Sequence, residues 1–312
     1  MKKKTLRTIA AAGAFAMALT LLPAGSAQAA STYLPTKQVV YTQKDGKWVK
    51  NNSIKTSYNK KGAAIKTVST FYQDNTVYTT KRSYKGSNWT GEKCYSGNIL
   101  TYKTSISYKK GLPRVMKTAY YNGLSNPGKT VFKYKGKLPV TISLYMKGKK
   151  FGYWKNTFKK GRLISHAYYS ADGEINQTET YSYKNGDLVK SSTYTYIGGK
   201  KELSGASKYT YKKHRLVKSV KKAGSEVTNT TYNKKGLPVK ETYKSSASSR
   251  QTTYSYKYYK NKAVKEILCQ TKYDFGDETR SYKSKNVYSG FKKFKSTPTP
   301  GIIEKYLTDV GQ

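Results

Sequence analysis

The sequence predicts an all-β protein, a long coiled antiparallel sheet of about ten tandem hairpin repeats of about 25 residues each. Three observations lead there. One short unit recurs from residue 58 to residue 285: an aromatic, one or two Lys or Asn, often Gly, then Leu or Val. The segments before the units alternate Tyr with Ser, Thr or Lys, as in Thr180-Tyr181-Ser182-Tyr183, Lys208-Tyr209-Thr210-Tyr211 and Thr253-Tyr254-Ser255-Tyr256. Alternation at period two puts Tyr on one face of a strand and the polar residues on the other. Helical periodicity is nearly absent before residue 300.

The units begin with Tyr58-Asn59-Lys60-Lys61-Gly62, Tyr84-Lys85-Gly86, Tyr108-Lys109-Lys110-Gly111, Tyr134-Lys135-Gly136 and Phe158-Lys159-Lys160-Gly161. They continue with Tyr183-Lys184-Asn185-Gly186, Tyr211-Lys212-Lys213-His214, Tyr232-Asn233-Lys234-Lys235-Gly236, Tyr258-Tyr259-Lys260-Asn261 and Tyr282-Lys283-Ser284-Lys285. Each reads as a hairpin turn. Asn185-Gly186 is the strongest, because both residues tolerate positive φ. Pro113, Pro139 and Pro238 fall just past a turn, where a missing N–H costs least. About twenty strands follow. Open sheets that long curl or split, so the sheet is expected to coil, with Tyr on its concave or packed face. Lys on the other face and the edges discourages edge-to-edge pairing.

Residues 1–29 read as a signal peptide. Lys2, Lys3, Lys4 and Arg7 are followed by an apolar run from Ile9 to Leu22, then Pro23 and the small residues of Ala27-Gln28-Ala29. The run is shorter than the roughly 20 residues that span a bilayer. The signal has a bacterial pattern, so the mature chain is expected to be secreted or held non-covalently at the cell wall. Residues 30–57 read as a divergent first hairpin, 58–295 as the repeat domain, and 296–312 as a Pro/Thr linker with a short C-terminal segment.

The stretch Tyr181-Ser182-Tyr183-Lys184-Asn185-Gly186-Asp187-Leu188-Val189-Lys190 resembles a tyrosine–aspartate repeat of the rearrangement-hotspot type, and so do Tyr209–Lys218 and Tyr232–Glu241. The resemblance implies strand–turn–strand units in a spiralling β-sheet. This chain departs from the pattern by replacing the Asp with Lys or Asn in nearly every unit. Gly-Arg-Leu survives only at Gly161-Arg162-Leu163.

Charge is the strongest functional signal. The 312 residues hold 60 Lys and Arg against 16 Asp and Glu, a formal net charge of +44. Lys outnumbers Arg 53 to 7. Arg suits bidentate phosphate recognition and Lys acts as a mobile point charge, so diffuse attraction to a polyanion is expected. Leu, Ile, Val and Phe alone fall under the roughly 20% expected of an ordered chain, and 32 Tyr supply the missing apolar area. The core should be thin.

Two His and two Cys leave little for metal or disulfide chemistry, and no cofactor or catalytic residue is expected. His166 and His214 read as surface residues. Asp274, Asp277 and Glu278 form the one acidic cluster and read as a turn. In a straight stack Cys94 and Cys269 stand about 67 Å apart, so free thiols or an intermolecular bond are expected. The expected function is non-enzymatic binding of anionic envelope or extracellular polymers, such as teichoic acid or acidic glycan, with nucleic acid bound only non-specifically. Tyr254, Tyr256, Tyr258 and Tyr259, interleaved with Lys257, Lys260 and Lys262, are the candidate ligand-binding residues. The alternative is a scaffold within a secreted toxin-type protein.

Overall fold

The computed structural model describes residues 32–121, 127–276 and 278–294. The expected signal peptide and the linker at 296–312 lie outside the described residues. Twenty strands follow one another with no helix among the described residues. They are β1 (Thr32–Lys44), β2 (Lys47–Tyr58), β3 (Ala64–Phe71), β4 (Val77–Lys85), β5 (Asn88–Ser96), β6 (Ile99–Lys109) and β7 (Leu112–Tyr120). Next come β8 (Gly128–Lys135), β9 (Leu138–Met146), β10 (Lys149–Lys159), β11 (Arg162–Ser170), β12 (Ile175–Lys184), β13 (Asp187–Ile197) and β14 (Lys200–Lys212). The last are β15 (Arg215–Ala223), β16 (Glu226–Tyr232), β17 (Pro238–Lys244), β18 (Ser249–Tyr258), β19 (Val264–Asp274) and β20 (Thr279–Phe294).

Every strand pairs antiparallel with the next, and β20 pairs back onto β1 from Thr32↔Phe294 to Thr42↔Ser284. The molecule is a closed up-and-down barrel. The all-β class holds, but the long coiled open sheet of tandem repeats does not. Closure leaves no edge strand, so Lys is not needed to guard one. A circular ring of twenty strands at about 4.8 Å spacing and about 40° tilt measures roughly 40 Å between opposite backbones.

The recurring aromatic has a structural job that repetition alone does not reveal. Tyr58, Tyr84, Tyr108, Tyr134, Phe158, Tyr183, Tyr211, Tyr232 and Tyr258 each follow a register shift in the ladder to the next strand. Such bulges add twist and re-aim the side chain. Several of these rings then clamp the preceding hairpin. Tyr84 Oη donates to Ala64 O at 3.2 Å, Tyr108 to Trp89 O at 2.6 Å and Tyr183 to Leu163 O at 3.0 Å. Pro113 and Pro139 sit opposite Tyr108 and Tyr134 at the bulges and are fully buried. The Asn185-Gly186 turn has φ of 51° and 93°, the two-residue geometry that matches strand twist.

The stagger decides which face is concave. One paired row starts at Lys190 near one rim and passes through Lys208, Val220, Asn229, Thr242, Gln251 and Lys272 to Ser281 near the other. Strands coil right-handed. In a right-handed ring that sinks in this direction, Lys184, bonded forward across the turn to Asp187, points outward and Tyr183 inward. A cavity of about 760 Å³ along β10–β15 agrees, since Gln177, Glu179, Tyr181, Tyr183, Thr193 and Tyr209 of the inner face line it. The thin core lies on this inner wall as the row Phe132–Ile142–Trp154–Tyr168, with Ile142 only 1% exposed.

Candidate functional site

The two walls differ in chemistry. The inner wall carries Tyr, Thr and Ser, and two of its acids are paired. Glu92 accepts from Arg82 at 2.9 Å and from Tyr102 Oη at 2.7 Å, and Glu241 accepts from Arg250 at 2.7 Å. Burial together with Glu92 raises the Tyr102 phenol well above its ordinary range. The outer wall carries the lysines. Across β3–β6, Lys66, Lys81, Lys93 and Lys103 stand directly opposite one another in a single row, all four exposed. Lys37↔Lys55, Lys117↔Lys129 and Lys190↔Lys208 are further like-charged pairs. Like charges at directly opposed positions are destabilising, and among the described residues no acid pairs with the four-lysine row.

Outer-wall tyrosines lie under these cations. Lys129 Nζ stands 4.3 Å from the Tyr145 ring centre, Lys201 4.2 Å from Tyr194, and Lys155 4.8 Å from Tyr169. Such pairs hold ammonium groups over aromatic faces without neutralising them.

The rims are also unequal. One rim holds both chain ends of the barrel, at Thr32 and Phe294, and all the aromatic–basic turns. From the last residue of each even-numbered strand to the first of the next, those turns hold eighteen Lys or Arg and one acid, Asp187. The corresponding segments at the far rim hold six Lys and seven acids among the described residues.

The structure spreads the expected ligand-binding residues over three surfaces. Tyr254, Tyr256 and Tyr258 lie along the inner wall. There Tyr256 Oη donates to Pro238 O at 2.6 Å, and Lys235 Nζ stands 3.2 Å from the Tyr258 ring centre. Burial pushes the Tyr254 and Tyr256 phenols up. Tyr259 Oη donates to Tyr288 O at 2.9 Å, closing the ring near its seam. Lys257 is on the outer wall, paired with Glu266 at 2.9 Å. Lys260 and Lys262 stand exposed in the basic rim.

Sequence reasoning missed the row of Lys66, Lys81, Lys93 and Lys103. A signal existed, since Lys81 and Lys93 stand five residues before and six after the Gly86-Ser87 turn. The register shift at Ser83/Tyr84 absorbs the odd residue and makes them partners.

His166 is not a surface residue. It is 5% exposed, its Nδ1 lies 2.6 Å from Asn156 Oδ1, and its ring stacks on Trp154 at 3.8 Å. Asn156 Nδ2 in turn donates to Pro139 O at 2.8 Å. His214 is exposed in the basic rim, 2.8 Å from Asp187. Both cysteines are free thiols. Burial pushes Cys269 up to about 11. The described residues contain no cluster of His, Cys, Asp and Glu that would hold a metal ion.

The chain matches no family model and no curated protein. Solved structures give faint likenesses. A porin-like protein from Bacteroides uniformis is 13% identical, covering 83% of this chain and 96% of that one, with a TM-score of 0.35. One from Bacteroides vulgatus is 13% identical over 82% and 98%, with a TM-score of 0.28. A TcdB2–TccC3–Cdc42 complex is 11% identical over 78% of this chain and 17% of that chain, with a TM-score of 0.27. At such scores these likenesses carry no argument about activity or location. The tyrosine–aspartate resemblance has no family match behind it.

Proposed function

We propose that the protein is a secreted, non-enzymatic barrel that binds anionic polymers of the cell envelope or its surroundings through many lysine contacts on the outer wall. The row of Lys66, Lys81, Lys93 and Lys103 carries this reading. A chain of phosphodiesters or carboxylates laid across these strands meets a cation about every 4.8 Å. Binding it relieves a like-charge repulsion that the fold otherwise bears. Repetition around the wall adds avidity without any new kind of contact.

The same lysines weigh against a bilayer-spanning role. No helix among the described residues is long and apolar enough to cross a membrane. That leaves the barrel itself, and a Lys on a lipid-facing wall costs about 2–4 kcal/mol at the midplane. The row sinks from Lys66 near the basic rim to Lys103 near mid-strand, so its deeper members bear most of that cost, several kcal/mol in all by order of magnitude.

The test is retention of the chain lacking residues 1–29 on teichoic acid and on an uncharged glycan, across a salt series. Binding to the polyanion alone, falling steeply with salt, is expected. Substituting Lys66, Lys81, Lys93 and Lys103 together by Gln should lower affinity about tenfold or more and flatten the salt slope. Equal retention on both polymers, or an unchanged slope in the variant, would reject the reading.

A further inference from the structure

Exposed large apolar side chains are not spread evenly over this molecule. Of thirteen among the described residues, all but Ile65 lie within four residues of a far-rim turn. Ile99 is 72% exposed, Ile197 65% and Leu203 62%. Tyr121 and Phe151 extend the crown, while Val49, Tyr78, Tyr120, Met146 and Tyr282 share the inner face by register and line the mouth of the barrel at this end. Charged turns could have kept this rim soluble, as they do the other. A crown of exposed apolar groups on one end of a soluble barrel marks an interaction surface.

We propose that the far rim docks a second copy of this chain, crown to crown, leaving a basic rim at each end of the pair. The charge pattern selects this partner. Two basic rims repel, since each holds eighteen cations and one acid. Among the described residues far rims carry six cations and seven acids, a nearly balanced mixture that tolerates its own image. Asp45 beside Lys44 and Lys47, for example, offers both signs within one turn. A two-fold axis along the barrel's end makes the contact self-complementary and closed. The ring sizes match by identity. A wall about 10 Å thick and roughly 40 Å across presents on the order of 1,200 Å², against the roughly 800 Å² per partner of a standard interface. An anionic lipid surface fits less well, because the acids of the far rim would meet its charge.

The pair goes beyond the proposed polymer binding and stands independently of it. Sedimentation equilibrium of the chain lacking residues 1–29 provides the test, at low and high salt. A dimer at both salts is expected, since apolar contact does not screen. Ile99→Lys, Ile197→Lys and Leu203→Lys should each raise the dimer dissociation constant about tenfold or more. The triple variant should be monomeric while keeping the far-ultraviolet spectrum of the parent. Should the triple variant misfold, the three single variants decide. Substituting Lys60 and Lys61 in the basic rim by Gln should leave the dimer unchanged. A monomer at the highest soluble concentration would overturn the proposal. So would open-ended oligomers that dissolve in salt, which mean head-to-tail stacking of unlike rims. Capture of monomers by neutral vesicles, lost in the triple variant, would assign the crown to lipid instead.

Discussion

His166 stands where the inner wall has no room for a charge. Trp154 covers one face of the ring, Asn156 holds Nδ1, and Nε2 is buried without a hydrogen-bond partner among the described atoms. Burial lowers its pKa from about 6.5 to about 4. The unfolded chain therefore takes up a proton that the barrel refuses. Stability is complete above pH 6.5 and declines as pH falls from 6.5 toward 4, by on the order of 2–3 kcal/mol. Urea denaturation of the native protein and of His166→Gln across that range checks this. The loss should be smaller in the variant, and equal slopes would place the acid sensitivity elsewhere. The local sequence sets the two apart only in part: His214 lies in the Lys212-Lys213-His214-Arg215 turn, and His166 follows Leu163-Ile164-Ser165 on a return strand whose facing side no local pattern marks as buried. Burial of the first comes from Trp154 and Asn156 on β10, across a strand pairing.

At the scale of the element, the hairpin unit was legible and its purpose was not. The alternation in Thr253-Tyr254-Ser255-Tyr256 announced a strand with Tyr on one face, and β18 is that strand. Those rings suggested ligand stacking. In the barrel the Tyr256 phenol also ties its hairpin to the preceding one. Tyr256 shows the consequence, because its hydroxyl satisfies Pro238 O across a strand boundary. Tyr256→Phe should lower stability by about 1 kcal/mol, the ordinary cost of one lost internal hydrogen bond. Thermal denaturation reads it out, with an unchanged far-ultraviolet spectrum as the control. An unaltered melting temperature would mean that the clamp is geometric and contributes no stability. The outer lysines belong to this scale too. Their alignment depends on register shifts of one residue, which no single strand displays.

For the whole molecule, closure is the decisive feature. The β1–β20 seam pairs Thr32 with Phe294, so the two ends of the barrel lie side by side in the basic rim. Removing residues 279–294 deletes β20 and exposes β1 and β19 as long free edges. Such edges template aggregation. We expect the truncated chain to aggregate or lose its cooperative transition, where an open stack would shed one strand and keep the rest. Light scattering and calorimetry of the truncated protein distinguish these results. A soluble chain with a cooperative transition would argue that the seam adds little.

The all-β class and the hairpin turns followed from the sequence by itself, because period-two alternation and positive-φ turn residues act over a few neighbouring positions. Net charge and the dominance of Lys over Arg were equally plain, being sums over composition. Only the tertiary structure decided that the ends meet. Closure depends on stagger and twist accumulated over twenty strands, and each hairpin looks the same whether or not the ring shuts. Closure then assigned the Tyr face to the inside and the Lys face to the outside, and it sorted the turns into a basic rim and an apolar one. That sorting alternates turn by turn along the chain, so its meaning emerges only when every second reversal is brought to the same end of a barrel.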